Sequence, residues 1–244
     1  MSDFLPSPAP LVKTASFNKV GVLCPSYQRP DFARNLLLQL AHQSRPPEVV
    51  CIHQNGSADC YDWVVEGLKL PFPVRWLFTD HRVPQHEWYS KPLFDLIQQD
   101  CDAFLWMDHD DWFSHRHIEQ CLADLVNFDF RISNRADVLF VADQGYEVQR
   151  DLGFVSHAPG GMSSSMAFNR AFAEQLLMDL MADNKNYFAD NVLATVTMPK
   201  FRCLLSNENT TTYVCHGTNV SSQNWYADFK ARANVQGVAQ ASSS

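Results

Sequence analysis

The sequence reads Ala103-Phe104-Leu105-Trp106-Met107-Asp108-His109-Asp110-Asp111 at the point that decides the fold. The apolar run, which begins after Asp102 and ends before Asp108, predicts a strand covered on both faces. Three carboxylates at its exit repel one another unless a cation or a shared proton lies between them. Because oxygen ligands favour Mg²⁺, Mn²⁺ or Ca²⁺, the cluster is interpreted first as a metal site. The alternative is a solvated loop that starts the next helix.

The composition indicates a globular protein. The chain has 244 residues, of which 46% are hydrophobic and 19% charged, enough for one large domain or two small ones. No apolar run approaches the roughly 20 residues of a spanning helix, and no secretory signal is evident. The seven cysteines include no CxxC pair, so we expect buried free thiols in a reducing compartment. The net charge of −8 gives no general attraction for nucleic acid or membrane, so we expect a cytoplasmic protein, with at most peripheral membrane contact.

Strands and helices alternate through the first half of the chain. Apolar runs predict strands at residues 20–24, 49–53, 74–78, 103–107 and 138–142. Periodic apolar residues predict helices at residues 32–41, 58–68, 89–99 and 118–126, the last capped by Ser114. This alternation favours an α/β fold with a mostly parallel central sheet covered by helices.

The pattern changes after residue 142. Small residues at 160–165 predict a flexible stretch. Helices are predicted at residues 170–182, with Asn169 as a cap, and 190–196, and strands at 201–205 and 212–215. We expect an irregular N-terminal arm at residues 1–18, a single domain at 19–234 and a flexible C-terminal tail at 235–244.

Polar residues follow three of the predicted strands. Pro25-Ser26-Tyr27 follows the first strand, Gln54-Asn55 the second, and the carboxylate cluster the fourth. Ligands of parallel α/β sheets collect at the carboxyl ends of the strands, so we expect these residues to converge. Their convergence favours a ligand site over a solvated loop.

The order and spacing of these segments resemble family 2 glycosyltransferases, which have the GT-A (Rossmann-like) fold. The resemblance covers residues 20–219. Residues 20–30 resemble the opening strand and turn of the family, 48–57 its second strand, and 105–111 its DxD segment. Residues 160–170 resemble the acceptor-side loop and strand, and 188–193 the region that supplies the catalytic base.

Two places depart from the pattern of that family. Gln54 and Asn55 stand where an aspartate often holds the nucleotide base. Ala189 stands where a glutamate often precedes the catalytic base.

The resemblance implies a metal-dependent, inverting glycosyltransferase that moves a sugar from a nucleoside-diphosphate sugar, most often UDP-linked, to an acceptor hydroxyl. Mn²⁺ or Mg²⁺ would neutralise the charge that builds on the diphosphate. Asp110 is the expected main metal ligand and His216 a nitrogen ligand, while Asp108 would hold the ribose or a metal-bound water. Asp190 is the expected base that takes the proton of the acceptor hydroxyl.

Some of these residues also have structural interpretations. Asp190 is placed to cap a helix, His216 to lie at a surface turn, and Asp111 to reach the metal, the sugar or a helix N-terminus. Trp106 and Trp112 flank the cluster and would pack either on a sugar ring or in the core.

Donor-binding residues are expected at the same strand ends and in the acceptor-side loop. Tyr27 and Arg29 are placed to stack on or pair with the nucleotide, and Lys91 to contact a phosphate. The full expected set is Pro25, Ser26, Tyr27, Arg29, Asn55, Lys91, Asp108 and Gly161.

Three other functions stay open from the sequence. The same fold can glycosylate a hydroxylated base in DNA, although the resemblance favours a glycan or lipid-linked glycan as acceptor. A phosphohydrolase would use a metal near His109, His115 and His117. A nucleotide-sugar-binding module would keep the fold without turnover. Retention of configuration also stays open, because a fold does not fix its chemistry.

Overall fold

The computed structural model describes residues 17–56, 61–142, 145–153, 165–182 and 192–215. Its strands are β1 (Val20–Tyr27), β2 (Val49–Asn55), β3 (Val74–Thr79), β4 (Ala103–Trp106), β5 (Trp112–Phe113), β6 (Phe130–Ser133), β7 (Arg135–Ala142), β8 (Gly145–Gly153), β9 (Ala167–Asn169), β10 (Cys203–Ser206) and β11 (Thr211–Cys215). Its α-helices are α1 (Pro30–Ala41), α2 (Gln85–Gln98), α3 (His117–Leu125) and α4 (Arg170–Ala182). Short 3₁₀ turns lie at Asp62–Val65 and Met198–Lys200, and a π-helical turn at Leu193–Thr197.

The central sheet contains seven of the described strands, in the order β10-β6-β9-β4-β1-β2-β3. β1 pairs in parallel with β2 and β4, and β2 pairs in parallel with β3, whereas β9 is antiparallel to β4 and β6. Parallel neighbours bring their carboxyl ends to one edge of a sheet. The polar residues that end β1 and β2 and those that follow β4 therefore lie along the same edge.

Two apolar cores cover the sheet, one on each face, because alternate strand residues point to opposite faces. Leu23 and Phe104 belong to the core that includes the apolar sides of α2 and α4. Val22 and Leu105 belong to the core that includes those of α1 and α3. Coverage of both faces explains why these strands are apolar throughout. None of the helices in the described ranges is long and apolar enough to cross a membrane.

A second sheet, with four described strands in the order β5-β11-β7-β8, adjoins the carboxylates. β5 follows them directly and is antiparallel to β11, which is parallel to β7, and β7 is antiparallel to β8. The sequence predicted strands at β7 and β11 but not this sheet. The two residues of β5 are too few to show an alternating pattern.

The main predictions for the fold are confirmed. The protein is an α/β fold with a mostly parallel central sheet and covering helices. α4 has the predicted bounds, and Asn169 Oδ1 accepts a hydrogen bond from the Phe172 N–H at 3.0 Å, which is the predicted N-terminal cap. Residues 1–16 of the predicted arm and all of the predicted tail lie outside the described residues.

Three local predictions are wrong. Of the helix predicted at 58–68, the described part forms a single 3₁₀ turn, followed by Gly67 at a φ of +75°. Ser114 does not cap α3. The helix begins at His117, its N-cap residue is Arg116, and no side chain caps it. Ser114 contributes only its carbonyl, which accepts the His117 N–H at 3.0 Å. α2 begins at Gln85 rather than residue 89, directly after Pro84. The described part of the helix predicted at 190–196 is helical, as predicted, although Leu193–Thr197 forms a π-helical turn.

Candidate active site

The carboxylate loop, residues 107–111, leaves β4 beside the end of β1. Trp106 pairs in register with Leu23, and the Met107 N–H donates to the Leu23 carbonyl at 3.1 Å. Burial raises the pKa of the Cys24 thiol well above its ordinary value, and the charges of Asp108 and Asp110 raise it further. Both carboxylates therefore lie close to the carboxyl end of β1, as the sequence predicted.

Asp108 is positioned by a tryptophan from its own strand. The indole Nε1–H of Trp106 donates to Asp108 Oδ1 at 3.1 Å. Trp106 is buried, and its ring lies on that of Tyr89 from α2 with 3.6 Å between the ring centroids. Trp106 is thus a core residue rather than a sugar platform, and its one polar atom orients a carboxylate of the cluster.

Asp110 forms an ion pair with Arg29. Nη1 of Arg29 lies 2.7 Å from Asp110 Oδ2, and the two side chains are only 16% and 14% exposed. Arg29 precedes α1, and its carbonyl accepts the Ala33 N–H. Its guanidinium lies 5.8 Å from the centroid of the Phe32 ring. The predicted metal ligand and the predicted nucleotide-binding arginine are therefore in direct contact.

Asp111 links the carboxylate loop to the second sheet. Its side chain is buried, and Oδ1 accepts the backbone N–H of Val214 in β11 at 3.0 Å. Its carbonyl accepts a hydrogen bond from Gln39 Nε2 of α1 at 3.2 Å. Asp111 is followed by β5 rather than by a helix, so its interpretation as a helix N-terminal charge is wrong. The contact with β11 gives it a structural role.

Tyr27 ends β1 in a small cluster with Trp88 and Arg82. The Trp88 ring contacts Tyr27 edge-on with 6.2 Å between centroids, and the Arg82 guanidinium lies 5.7 Å from the Tyr27 centroid. Gly56 has a φ of +71°, and a Cβ there would lie 2.6 Å from the Tyr27 ring. Trp88 and Arg82 were not predicted as site residues from the sequence. Arg82 follows β3, so the rule that ligands meet strand ends would have indicated it.

Asn55 is engaged in shaping the loop that carries Arg82. The side chain is fully buried. Its Oδ1 accepts hydrogen bonds from the Val83 N–H at 2.9 Å and from Thr79 Oγ1 at 3.3 Å, and Nδ2 donates to the Val83 carbonyl at 3.5 Å. Asn55 therefore holds this loop against the end of β2. Its predicted contact with the nucleotide stays a prediction.

The other candidate residues near the end of β2 also have partners within the protein. His53 is buried, its Nδ1 lies 3.0 Å from the Trp88 carbonyl, and burial lowers its pKa. Lys91 lies near enough for its charge to lower that pKa further, and its Nζ lies 3.3 Å from Glu87 Oε2. Pro25 and Ser26 pair in register with residues 53 and 54, and Ser26 is fully buried.

Asp108 and Asp110 fit the donor chemistry of a hard or borderline divalent cation. Both are partly exposed carboxylates at one strand end, and the guanidinium beside Asp110 shows that a cation is accommodated there. In the described part of the chain, no group of three or more His, Cys, Asp or Glu side chains is arranged to hold a metal ion. Further donors would come from substrate phosphates or from elsewhere in the chain. The predicted His216, Asp190 and Gly161 lie outside the described residues.

The three histidines of the phosphohydrolase hypothesis do not converge. His117 is buried, with Nδ1 2.8 Å from Thr210 Oγ1 and Nε2 3.6 Å from Cys121 Sγ. The ring of His109 contacts Phe32 edge-on, and His115 is exposed. This arrangement and the α/β fold both disfavour that hypothesis.

Comparison with solved structures identifies the fold. The chain is similar to Staphylococcus aureus TarS, a GT-A-type glycosyltransferase, with a TM-score of 0.56 and 16% identity over 82% of this chain. It is similar to TarS 1–349 in complex with UDP-GlcNAc, with a TM-score of 0.55 and 16% identity over 82% of this chain, and to the UDP complex, with 0.54 and 17% over 82%. The chain has the GT-A fold.

At such low sequence identities, these similarities show the GT-A fold alone. The chain spans 37% of the length of TarS and 60% of the TarS 1–349 complex with UDP-GlcNAc. No protein-family model and no curated protein matches the sequence. The confirmed GT-A fold places the carboxyl ends of β1, β2 and β4 together, but the chemistry at that edge has to be argued from its own residues.

Proposed function

We propose that this protein is a glycosyltransferase whose donor is a nucleoside-diphosphate sugar linked to UDP. The GT-A fold supports the proposal, because the similar TarS structures include complexes with UDP and UDP-GlcNAc. The residues along the carboxyl edge of the sheet support it independently. They combine an aromatic ring, which suits a nucleoside base, with arginines, which suit a diphosphate, and carboxylates, which suit a metal.

The observation that carries the proposal is the position of Asp108 and Asp110. Both lie at the end of β4 and close to the end of β1, where their charges act on the buried Cys24. A structural role is evident for Asp111, which contacts β11, but Asp108 and Asp110 keep partial exposure at a ligand-binding edge. Carboxylates in such a place are suited to hold a divalent cation, which would neutralise phosphate charge.

Mn²⁺ or Mg²⁺, when bound, would neutralise the negative charge that develops on the leaving diphosphate. Asp108 and Asp110 would hold the metal, with His216 as a further proposed ligand. Trp106 fixes the orientation of Asp108 through its indole N–H, which reduces the reorganisation needed for ligation. Arg29 lies beside Asp110 and is placed to pair with the diphosphate.

The nucleoside would bind beside Tyr27. The Tyr27 ring, the Arg82 guanidinium and Trp88 form an aromatic and cationic surface at the end of β1. Asn55 supports this surface by bonding to Val83, which directly follows Arg82. Lys91 is placed near the end of β2 and would add a phosphate contact.

The acceptor would be a hydroxyl of a glycan or a lipid-linked glycan. Asp190 would take the proton of that hydroxyl as it attacks the sugar on the face opposite the diphosphate, which inverts the configuration. One base is sufficient for this transfer, unlike the two carboxylates of a glycosidase.

The test is thermal stability with UDP, GDP, CDP or ADP, each with and without Mn²⁺ or Mg²⁺. A ligand that binds only the native state raises the melting temperature, by about 5–10 °C at roughly 100 times its Kd for a domain of this size. We expect a metal-dependent rise with UDP.

Two variants locate the ligand. Asp108→Asn should remove most of the UDP-induced rise. Asp100→Asn is the matched control, because Asp100 is exposed, precedes β4 at its other end and has a φ of +57°, which asparagine tolerates. No rise with any nucleotide in the folded wild-type protein would contradict the proposal. An equal loss in both variants would contradict the assignment of Asp108.

A further inference from the structure

The ion pair between Arg29 and Asp110 joins two residues that the proposed function needs for different ligands. Asp110 is the proposed metal ligand, and Arg29 is the proposed partner of the diphosphate. Yet Nη1 of Arg29 lies 2.7 Å from Asp110 Oδ2. This contact makes the arginine a competitor of the metal.

The pair is built into the site from both sides. Arg29 is held at the start of α1, with its guanidinium near the Phe32 ring. Asp110 lies in the loop after β4, with its other oxygen, Oδ1, 4.0 Å from His109 Nδ1. The His109 ring in turn contacts Phe32 edge-on. The low exposure of both partners, 16% and 14%, makes their attraction stronger than that of a surface pair.

A divalent cation at Asp110 would meet this positive charge. Either the cation would displace the guanidinium from the carboxylate, or the two positive groups would share it at close range and repel each other. Both routes weaken the binding of a metal that arrives alone. A diphosphate changes this balance, because its oxygens offer the guanidinium a new planar, hydrogen-bonding anion.

We propose that Arg29 is an exchangeable counter-ion, which neutralises Asp110 before the donor binds and moves to the diphosphate when metal and donor arrive together. The proposal rests on the proposed function and adds a coupling between the two ligands. Metal and nucleotide then bind with positive cooperativity beyond their direct contact. Such coupling is reciprocal, so each ligand raises the affinity of the other by the same factor.

The test measures Mn²⁺ binding to the full chain by electron paramagnetic resonance, with and without UDP, in the wild type and in Arg29→Gln. Without UDP, we expect Arg29→Gln to bind Mn²⁺ about tenfold more tightly, which corresponds to about 1.4 kcal/mol. With Mn²⁺ saturating, we expect UDP to bind about tenfold more weakly, because its diphosphate loses the guanidinium. Opposite changes for the two ligands are the signature of exchange.

Two further variants separate exchange from loss of charge or fold. Arg29→Lys keeps the charge without the planar fork, so both changes should be smaller and in the same directions. Arg116→Gln removes the same charge at an exposed ion pair with Glu119 and should change neither affinity. If Arg29→Gln does not fold, the Arg29→Lys measurement decides.

The outcomes are distinct. If the wild type binds Mn²⁺ and UDP but Arg29→Gln binds Mn²⁺ equally or more weakly without UDP, Arg29 is a fixed structural partner and the exchange is wrong, whereas the proposed function stands. If neither protein binds Mn²⁺ or UDP, the exchange and the proposed function both fail.

Discussion

The carboxyl ends of β2 and β4 both present polar side chains to the same edge of the sheet, but these side chains have different kinds of partner. At the end of β2, Asn55 is fully buried and both amide atoms bond to the loop that follows β3. At the end of β4, Asp110 is partly exposed and paired with the side chain of Arg29. The first arrangement ties a loop down, whereas the second holds a charge that a ligand can take over.

This difference shows that residue type at a strand end does not by itself assign a role. An amide satisfied by backbone groups gains little from a ligand, because the ligand would have to replace bonds already made. A carboxylate paired with a side chain would, on the proposed exchange, take a bound cation in place of that partner. We therefore expect changes at Asn55 to act mainly on stability and changes at Asp110 mainly on function.

The largest effect is expected from Asp110→Asn. The amide keeps an acceptor for Arg29 but loses the charge that a divalent cation requires, so release of UDP from a UDP-sugar should fall about 100-fold or more at saturating Mn²⁺. The rate of UDP release measures this change. Asp100→Asn is the control.

Retention of full metal-dependent turnover in Asp110→Asn would contradict the functional role expected for the β4 end. The metal would then be held without Asp110, and Arg29–Asp110 would be a structural pair like others on this chain.

A loss of stability is expected from Asn55→Ala. It leaves the buried Val83 N–H without its acceptor, which should lower the free energy of unfolding by about 1–3 kcal/mol, measured by urea denaturation. Asn55→Asp keeps that acceptor but buries a carboxylate against the Val83 carbonyl, so it should lose at least as much. A fall in UDP affinity of Asn55→Ala without a fall in stability would show that Asn55 contacts the nucleotide directly.

Much of the fold was predictable because it follows from local patterns. The buried runs of β1, β2 and β4 and the apolar stripe of α4 all appear where the sequence indicated them. The second sheet was not predictable, because β5 has only two residues and pairs with β11 about a hundred positions later in the chain.

The position of the candidate site was predictable from the sequence, but the contact that each of its residues makes was not. The rule of strand ends brought Tyr27, Asn55 and the carboxylates to one edge. Three adjacent carboxylates looked alike in the sequence, but Asp108 accepts from Trp106, Asp110 pairs with Arg29, and Asp111 accepts from Val214. Arg29 and Val214 are distant in sequence, so spacing alone does not reveal which carboxylate is structural.

Buried histidines allow the two strand ends to be compared by pH. His53 lies near the end of β2, and His117, at the start of α3, contacts Thr210 directly before β11. Burial, with the nearby charge of Arg131, lowers the pKa of His117 to about 3, so the folded protein keeps it neutral while the unfolded chain binds a proton below its ordinary value of 6.5. Its contribution to stability is complete above pH 6.5 and is lost as the pH falls from there towards 3.

Because of this linkage, the free energy of unfolding should be about 2 kcal/mol lower at pH 5 than at pH 7.5. Urea denaturation at the two pH values measures the difference. In His117→Gln the difference should shrink by about that amount, whatever the absolute stability of the variant, and His115→Gln at an exposed position is the control. An unchanged difference in His117→Gln would mean that the acid sensitivity arises elsewhere, with His53 the next residue to test.

The smallest effect is expected from Lys91→Ala. Lys91 forms a half-exposed ion pair with Glu87 one turn earlier in α2, so its loss should change stability by less than about 0.5 kcal/mol. If Lys91 contacts a phosphate, UDP should bind up to about tenfold more weakly while uridine, which has no phosphate, binds as before. Calorimetry with both ligands measures this, and Glu87→Gln controls for the broken pair. A variant that binds both ligands like the wild type would place the diphosphate nearer Arg29 and the β4 end. The β2 end would then shape the site, and the β4 end would carry the charges that bind the ligand.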